Sequence, residues 1–226
     1  DEFSTWYIRR SRDRVGPAAE SKKDREVFYN TTYYVLTTIC KVMAPFIPFV
    51  TDIIYKNLTR EESIHLTDWP VSNKELSPEE LMTLNEMQAV REIVEKVHSI
   101  RKEKVIPVRQ PLSSAKAGHP ISQIRSDILK IACEELNVKS LKVNEAKELT
   151  ATLDTKITKE LEEEAKGRDL ARKIQEERKN MSLNLTQKVN VFSDWIPSDK
   201  KVVQWLSRKA QIKVLKLGKF KVVKAS

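Results

Sequence analysis

Residues 5–14 read TWYIRRSRDR, a Trp-Tyr pair running straight into four arginines and an aspartate. Such a stretch suits a polyanion. A guanidinium is a planar fork that grips phosphate with two hydrogen bonds and can stack on a ring or a base. On a helix, Trp6, Arg10 and Arg14 share one stripe, while Arg9 and Asp13 share another, where Asp13 would neutralise Arg9. A structural reading stands beside this one, with Trp6 as a core anchor and Arg9, Arg10, Arg12 and Arg14 covering its edge or pairing with another domain. A second basic group lies in RKEKVIPVRQPL, residues 101–112, where Arg101, Lys102, Lys104 and Arg109 surround an interdomain hinge that could hold an RNA stem-loop. Alternatively, Pro107 and Pro111 fix chain direction, and Arg109 caps a helix or pairs with Glu103. The third group is the tail, since residues 200–226 hold nine Lys or Arg and no Asp or Glu. Lysines there would hold backbone phosphate without base preference, or guard exposed strand edges against aggregation.

Other reactive residues resolve to structure. His65, His98 and His119 are scattered, without Cys or carboxylate at metal-ligand spacing, so no metal site is expected. Glu160, Glu162, Glu163 and Glu164 sit in the first turn of a helix, where negative charge favours the positive dipole end. Cys40 and Cys133 lie in apolar helical patterns and read as buried, reduced thiols. Trp195 and Trp205 read as packing anchors. With four glycines in the whole chain, no glycine-rich phosphate loop exists.

The elements that must position these groups divide in two. The 226 residues carry a net charge of +9 and a sequence pI near 9.4. Residues 1–104 hold 16 basic against 17 acidic side chains and residues 105–226 hold 25 against 15, so the excess belongs to the second half. No apolar run approaches a membrane span and the N-terminus lacks a signal-peptide layout, which points to the cytosol.

Periodicity predicts helices over about 2–14, 22–43 (apolar nearly all round, hence central in a bundle) and from Pro48 to about Leu58, with 63–70 an ordered connection. Ser77, Pro78 and Glu80 form a capping box that opens a helix to Lys104, with Leu81, Leu84, Met87, Val90, Val94, Val97 and His98 on one seam. After Lys104, VIPVRQPL suits an edge strand, and the domain boundary is placed here. A helix over 120–136, VKSLKV as a strand, a strand near 148–156, a helix over 159–181, KVNVFS as a strand, a helix over 199–210 and two strands joined at Gly218 follow. The fold class is mostly α, an all-α helical bundle (1–104) followed by a small α/β domain (105–226). No internal repeat is visible.

Several segments, taken in order, resemble one family. WYIRRSRDR, the run YNTTYYVLTTICKVMAPFIPFVTDIIYKNL, SIHLTDWP, RQPL at 109–112, EELNVKSLKV at 134–143 and LDTKITKELEEEAKGRDLARKIQEERKN at 153–180 are similar to the C-terminal region of isoleucyl-tRNA synthetase, in its eukaryote-like and archaeal-like branch. The resemblance implies an anticodon-binding bundle and a C-terminal domain that assists tRNA binding, with Arg9, Arg10, Arg12, Arg14, Arg101, Lys102, Lys104 and Arg109 as the tRNA-binding candidates. The HIGH and KMSKS motifs of the family's catalytic fold are absent, and KNMSL at 179–183 lacks the spacing of the latter. The resemblance therefore implies part of a ligase without its catalytic or editing domains, needing no cofactor itself, with ATP and magnesium belonging to the complete enzyme. Its expected partners are isoleucine tRNA and the ligase's catalytic domain; no membrane partner is expected, and a monomer is. The alternatives are the corresponding region of valyl-tRNA synthetase, or a helical protein-interaction module whose basic surface is incidental.

Overall fold

The computed structural model describes residues 2–17, 19, 21–71 and 75–225. Among the described residues, no helix is long and apolar enough to cross a membrane. The chain divides into two compact units, up to Glu75 and from Leu76 onward.

The first unit is all-helical. A π-helical turn, Phe3–Ile8, leads into α1 (Arg9–Val15), followed by α2 (Lys22–Met43) and α3 (Pro48–Thr59). Ser21 caps α2 by accepting from the Asp24 amide, and Pro48 opens α3 at the position where its missing N–H costs nothing. Cys40, Ala44, Tyr55 and Ile64 form a buried cluster. Asp52 fixes the turn carrying Ile64, accepting from Lys56 Nζ (2.7 Å), Ser63 Oγ (2.7 Å) and the Ile64 amide (2.9 Å), which hold its carboxyl at about 2.

The second unit contains one arrangement twice. α4 (Pro78–Glu103), β1 (Leu112–His119), α5 (Ser126–Leu136), β2 (Val138–Glu145) and β3 (Thr150–Leu153) form the first copy. The second copy consists of α6 (Lys159–Asn180), β4 (Val189–Ser193), α7 (Lys200–Ala210), β5 (Ile212–Leu217) and β6 (Lys221–Lys224). Strand orders are β2-β1-β3 and β5-β4-β6; in each, the first pair is parallel across a helical crossover and the second antiparallel. The two helices of each copy pack together on one face of its sheet. Inward rows such as Ala115–Leu141–Leu153 and Val191–Leu215 with Val222 meet those helices, and the opposite sheet face stays open.

The equivalence extends to side chains. Val97 and Arg101 of α4 match Ile174 and Arg178 of α6, all buried, and the backbone turns left-handed four residues after each arginine, at Val105 (φ 55°) and Ser182 (φ 51°). Both second helices, α5 and α7, run 11 residues and end on a left-handed residue, Asn137 or Gln211, whose carbonyl accepts from the first residue of the copy's central strand. VKSLKV and IKVLKL are the equivalent edge strands.

Most elements follow the sequence reading, and the mostly-α fold with a small α/β part is observed. The packing, however, divides the chain before α4 rather than after Lys104. The reason is that α4 buries Glu86, Ala89, Val90, Ile93, Val94, Val97 and Arg101 against α5 and the first sheet, leaving Leu81 and Leu84 exposed. VIPVRQPL is not a strand: its carbonyls at Pro107 and Gln110 turn toward Arg101, and β1 starts at Leu112. α5 begins at Ser126 rather than Pro120. The repeat, invisible as sequence identity, is explicit in the fold.

Candidate nucleic-acid interface

The N-terminal arginines separate by role. Arg14 is committed to structure, with Nε 2.9 Å from both Asp24 carboxylate oxygens and an Nη 2.6 Å from Oδ1, so that it ties α1 to the first turn of α2. The hydrogen bonds with Asp24 raise the arginine's pKa and lower the carboxylate's. Arg9 Nε donates to the Thr5 carbonyl at 2.7 Å, and Arg10 is half-buried. Arg9 and Arg12 lie three residues apart and both are exposed, so they share a solvent-facing side of α1. Tyr7 stacks between Phe3 (5.7 Å) and Phe28 (5.8 Å), a packing role that leaves little ring for a base.

Around the 101–109 segment the reading needs correcting at Arg101. This residue is 1% exposed, and its guanidinium donates to the carbonyls of Pro107 (3.1 Å), Gln110 (3.0 Å), Leu136 (2.8 Å) and Asn137 (3.3 Å). Burial pulls its pKa down, and no phosphate can reach it. It gathers the loop and the end of α5 into one seam. Arg109 pairs with Asp169 of α6 at 2.8 Å, while Lys102 and Lys104 are exposed beside the turn. Of this group, Lys102, Lys104 and the outer side of Arg109 remain open to an anion.

All nine basic residues of the tail are exposed. Lys200 and Lys201 begin α7, Arg208 and Lys209 end it, and Lys213, Lys216, Lys221 and Lys224 stand on β5 and β6.

Positioning residues that the sequence reading missed are Arg178, Glu86 and Glu163. Arg178 donates to the carbonyls of Asn184 (2.9 Å), Leu185 (3.1 Å) and Gln187 (2.5 Å), repeating the Arg101 clamp. Glu86 accepts from the Arg125 amide (2.9 Å) and Nε (2.7 Å) where α5 begins. Glu163 accepts from Ser198 and from the Asp199 amide (2.9 Å) where α7 begins. The usable signal was the spacing Glu86…Ile93…Val97…Arg101, repeated as Glu163…Leu170…Ile174…Arg178. Glu92 and His119 form a further tie: the Ile121 amide donates to His119 Nδ1 (3.0 Å), which leaves Nε2 to donate to Glu92 at 3.1 Å.

Residues 1–116, from the arginine-bearing helix through the first residues of β1, match the family described as the anticodon-binding domain of tRNA ligase. The chain belongs to that family. It is 42% identical over 149 residues to an isoleucine–tRNA ligase of Chlamydia pneumoniae, covering 62% of this chain and 14% of that protein. It is 32% identical over 174 residues to an isoleucine–tRNA ligase of Corynebacterium efficiens (77% and 16%), and 31% identical over 211 residues to one of Dehalococcoides mccartyi (83% and 20%). The chain thus spans a fifth or less of the length of these relatives. They are bacterial, and the eukaryote-like and archaeal-like branch suggested by the motif series is not supported. In an anticodon-binding domain, exposed basic side chains on rigid helices are the groups that can meet RNA phosphate. Of the residues singled out from the sequence, those that fit are Arg9 and Arg12 on α1 and Lys102 at the end of α4, with Lys104 just beyond it; Lys22 and Lys23 on α2 and Lys96 on α4 are exposed as well.

Proposed function

We propose that this chain recognises isoleucine tRNA, chiefly through its anticodon region, as one part of an ATP-dependent isoleucine–tRNA ligase whose chemistry lies in other residues. The carrying observation is the family match over residues 1–116, on which lie the exposed Arg9, Arg12, Lys102 and Lys104. The names of the relatives support isoleucine as the amino acid. The test is binding of the chain to isoleucine tRNA transcripts with native and substituted anticodons across a salt series. Tighter native binding at every salt concentration is expected; equal affinities with a steep salt slope would mean that the chain holds phosphate only. Exchanging Arg9 and Arg12 for glutamine should reduce the slope by about two.

A protein-docking role has its own observation. Tyr34, Phe46, Phe49 and Ile53 of the helical unit are strongly exposed, Phe49 at 83%. In the ligase reading that surface meets the catalytic part of the enzyme; as the sole function, docking predicts no salt-dependent tRNA binding.

A further inference from the structure

The open faces of the two sheets differ in kind. In the first copy the central outward row reads Lys142–Lys116–Thr152, and its neighbour pairs Ser140 with Ser114. In the second the corresponding row is Lys216–Phe192–Lys221, and its neighbour is Val214–Asn190–Val223. Phe192 therefore occupies the place held by Lys116. The module folds with a lysine there, so the ring is no requirement of the frame.

Alternation sends Val189 and Val191 inward to the core with Leu206, Ala210 and Val222, which leaves Phe192 on the opposite side, half-buried with the Gly218 turn beside it. Adjacent strands lie about 4.8 Å apart. One flat ring is thus bracketed on both sides by a lysine, with two exposed valines alongside. The strand residues of this sheet include four lysines and no carboxylate. An aromatic face between cationic side chains has the chemistry of a nucleobase platform: the ring takes a base and the ammonium groups take the flanking phosphates. Lysines guarding a strand edge would explain Lys216 and Lys221 but not the ring between them.

We propose that the open face of the β4–β6 sheet binds an unpaired segment of RNA, with Phe192 stacking on a base and Lys216 and Lys221 holding phosphate. This rests on the tRNA reading and names a contact region separate from the helical arginines. Lacking a hydrogen-bonding reader in its central row, the platform adds affinity and places unpaired nucleotides without choosing among bases.

The test uses the whole chain with two probes, an isoleucine tRNA transcript and a single-stranded RNA of about ten nucleotides. Phe192→Leu, which keeps apolar bulk on the sheet, should weaken binding of the short RNA roughly 5- to 100-fold while the salt slope stays unchanged. Lys216→Gln with Lys221→Gln should instead lower the slope by about 1.4. Ultraviolet crosslinking of bromouridine-substituted RNA should label the peptide containing Phe192. Parental affinity and slope in both variants would overturn this proposal alone, whereas a parent chain that binds neither RNA would overturn the tRNA reading with it. Variants that spare RNA binding but no longer sediment with anionic lipid vesicles would give the face to a membrane surface, and the proposal would fall.

Discussion

Arg101 and Arg178 hold the same place in two copies of one module, yet their reach differs. Arg101 donates to four carbonyls, two of them 35 and 36 residues away at the end of α5, whereas Arg178 donates only to carbonyls six to nine residues on, in its own loop. The glutamates differ in the same sense: Glu86 is 1% exposed and paired with the charged Arg125, while the half-buried Glu163 caps α7 through uncharged donors, the Ser198 and Asp199 amides and the Ser198 hydroxyl. The first copy is knit together by buried charge. The second also buries an arginine, Arg178, but that residue ties only its own loop beside the apolar cluster of Leu170, Ile174, Val189, Val191 and Leu206, and the other charged side chains of this copy are half-buried or exposed. A shared frame can therefore support a polar sheet face in one copy and an aromatic, cationic one in the other.

Arg101→Met should break this comparison hardest. It strips the donors from four carbonyls in two separate segments, two of them buried, and a loss of about 3–5 kcal/mol is expected, against about 1–3 kcal/mol for Arg178→Met. Urea unfolding of the two variants checks it, and equal losses would show that the long-range bonds of Arg101 add nothing.

The glutamates give the next effect. Glu86→Gln removes the buried partner of Arg125 and should cost about 1–3 kcal/mol. Glu163 is informative through pH, because the Asp199 amide and then Ser198 hold its carboxyl below the ordinary 4.5. A depressed folded-state pKa stabilises above the ordinary value, and that stabilisation is lost as pH falls through the folded one. Urea midpoints of the parent should therefore drop below about pH 4.5, and Glu163→Gln should flatten that part of the profile. An unchanged profile would mean that the cap bonds survive protonation.

How much of this was legible beforehand follows the physics of each signal. The capping box at Ser77–Glu80 and the spans of α2 and α6 are readable because helix starts and apolar spacing depend on neighbours three or four residues apart, but the central place expected for α2 is not observed, since among its residues only Phe28 and Cys40 are buried. The seam of α4 was read only in part, since Val90, Val94 and Val97 are buried but Leu81 and Leu84 are not. Local spacing does not reveal which face finds a partner. Arg101 looks like an RNA ligand in the sequence because composition cannot distinguish a guanidinium facing water from one facing carbonyls 35 residues onward. The repeat is hidden in the sequence because its copies share inward apolar positions and a few polar anchors, not residue identities, and only strand register aligns Phe192 with Lys116.

The smallest effect tests the helix contact in the second copy. Gly167 of α6 stands where α4 has the fully buried Val90, and a Cβ added at Gly167 would lie 2.8 Å from Val202 Cγ1 of α7. That is closer than carbon atoms pack, and Val202 is β-branched, so it cannot turn aside without changing its one preferred rotamer. Gly167→Ala gains about 1 kcal/mol of helix propensity, which overpacking of about 1–3 kcal/mol should outweigh. A net loss near 1 kcal/mol is expected. In a Val202→Ala background the clash disappears and the propensity term acts alone, so the same substitution should stabilise. A double-mutant cycle by urea unfolding reads the sign change. If Gly167→Ala costs the same in both backgrounds, the close approach of α6 and α7 is not what requires glycine there, and the second copy does not depend on tighter helix packing than the first.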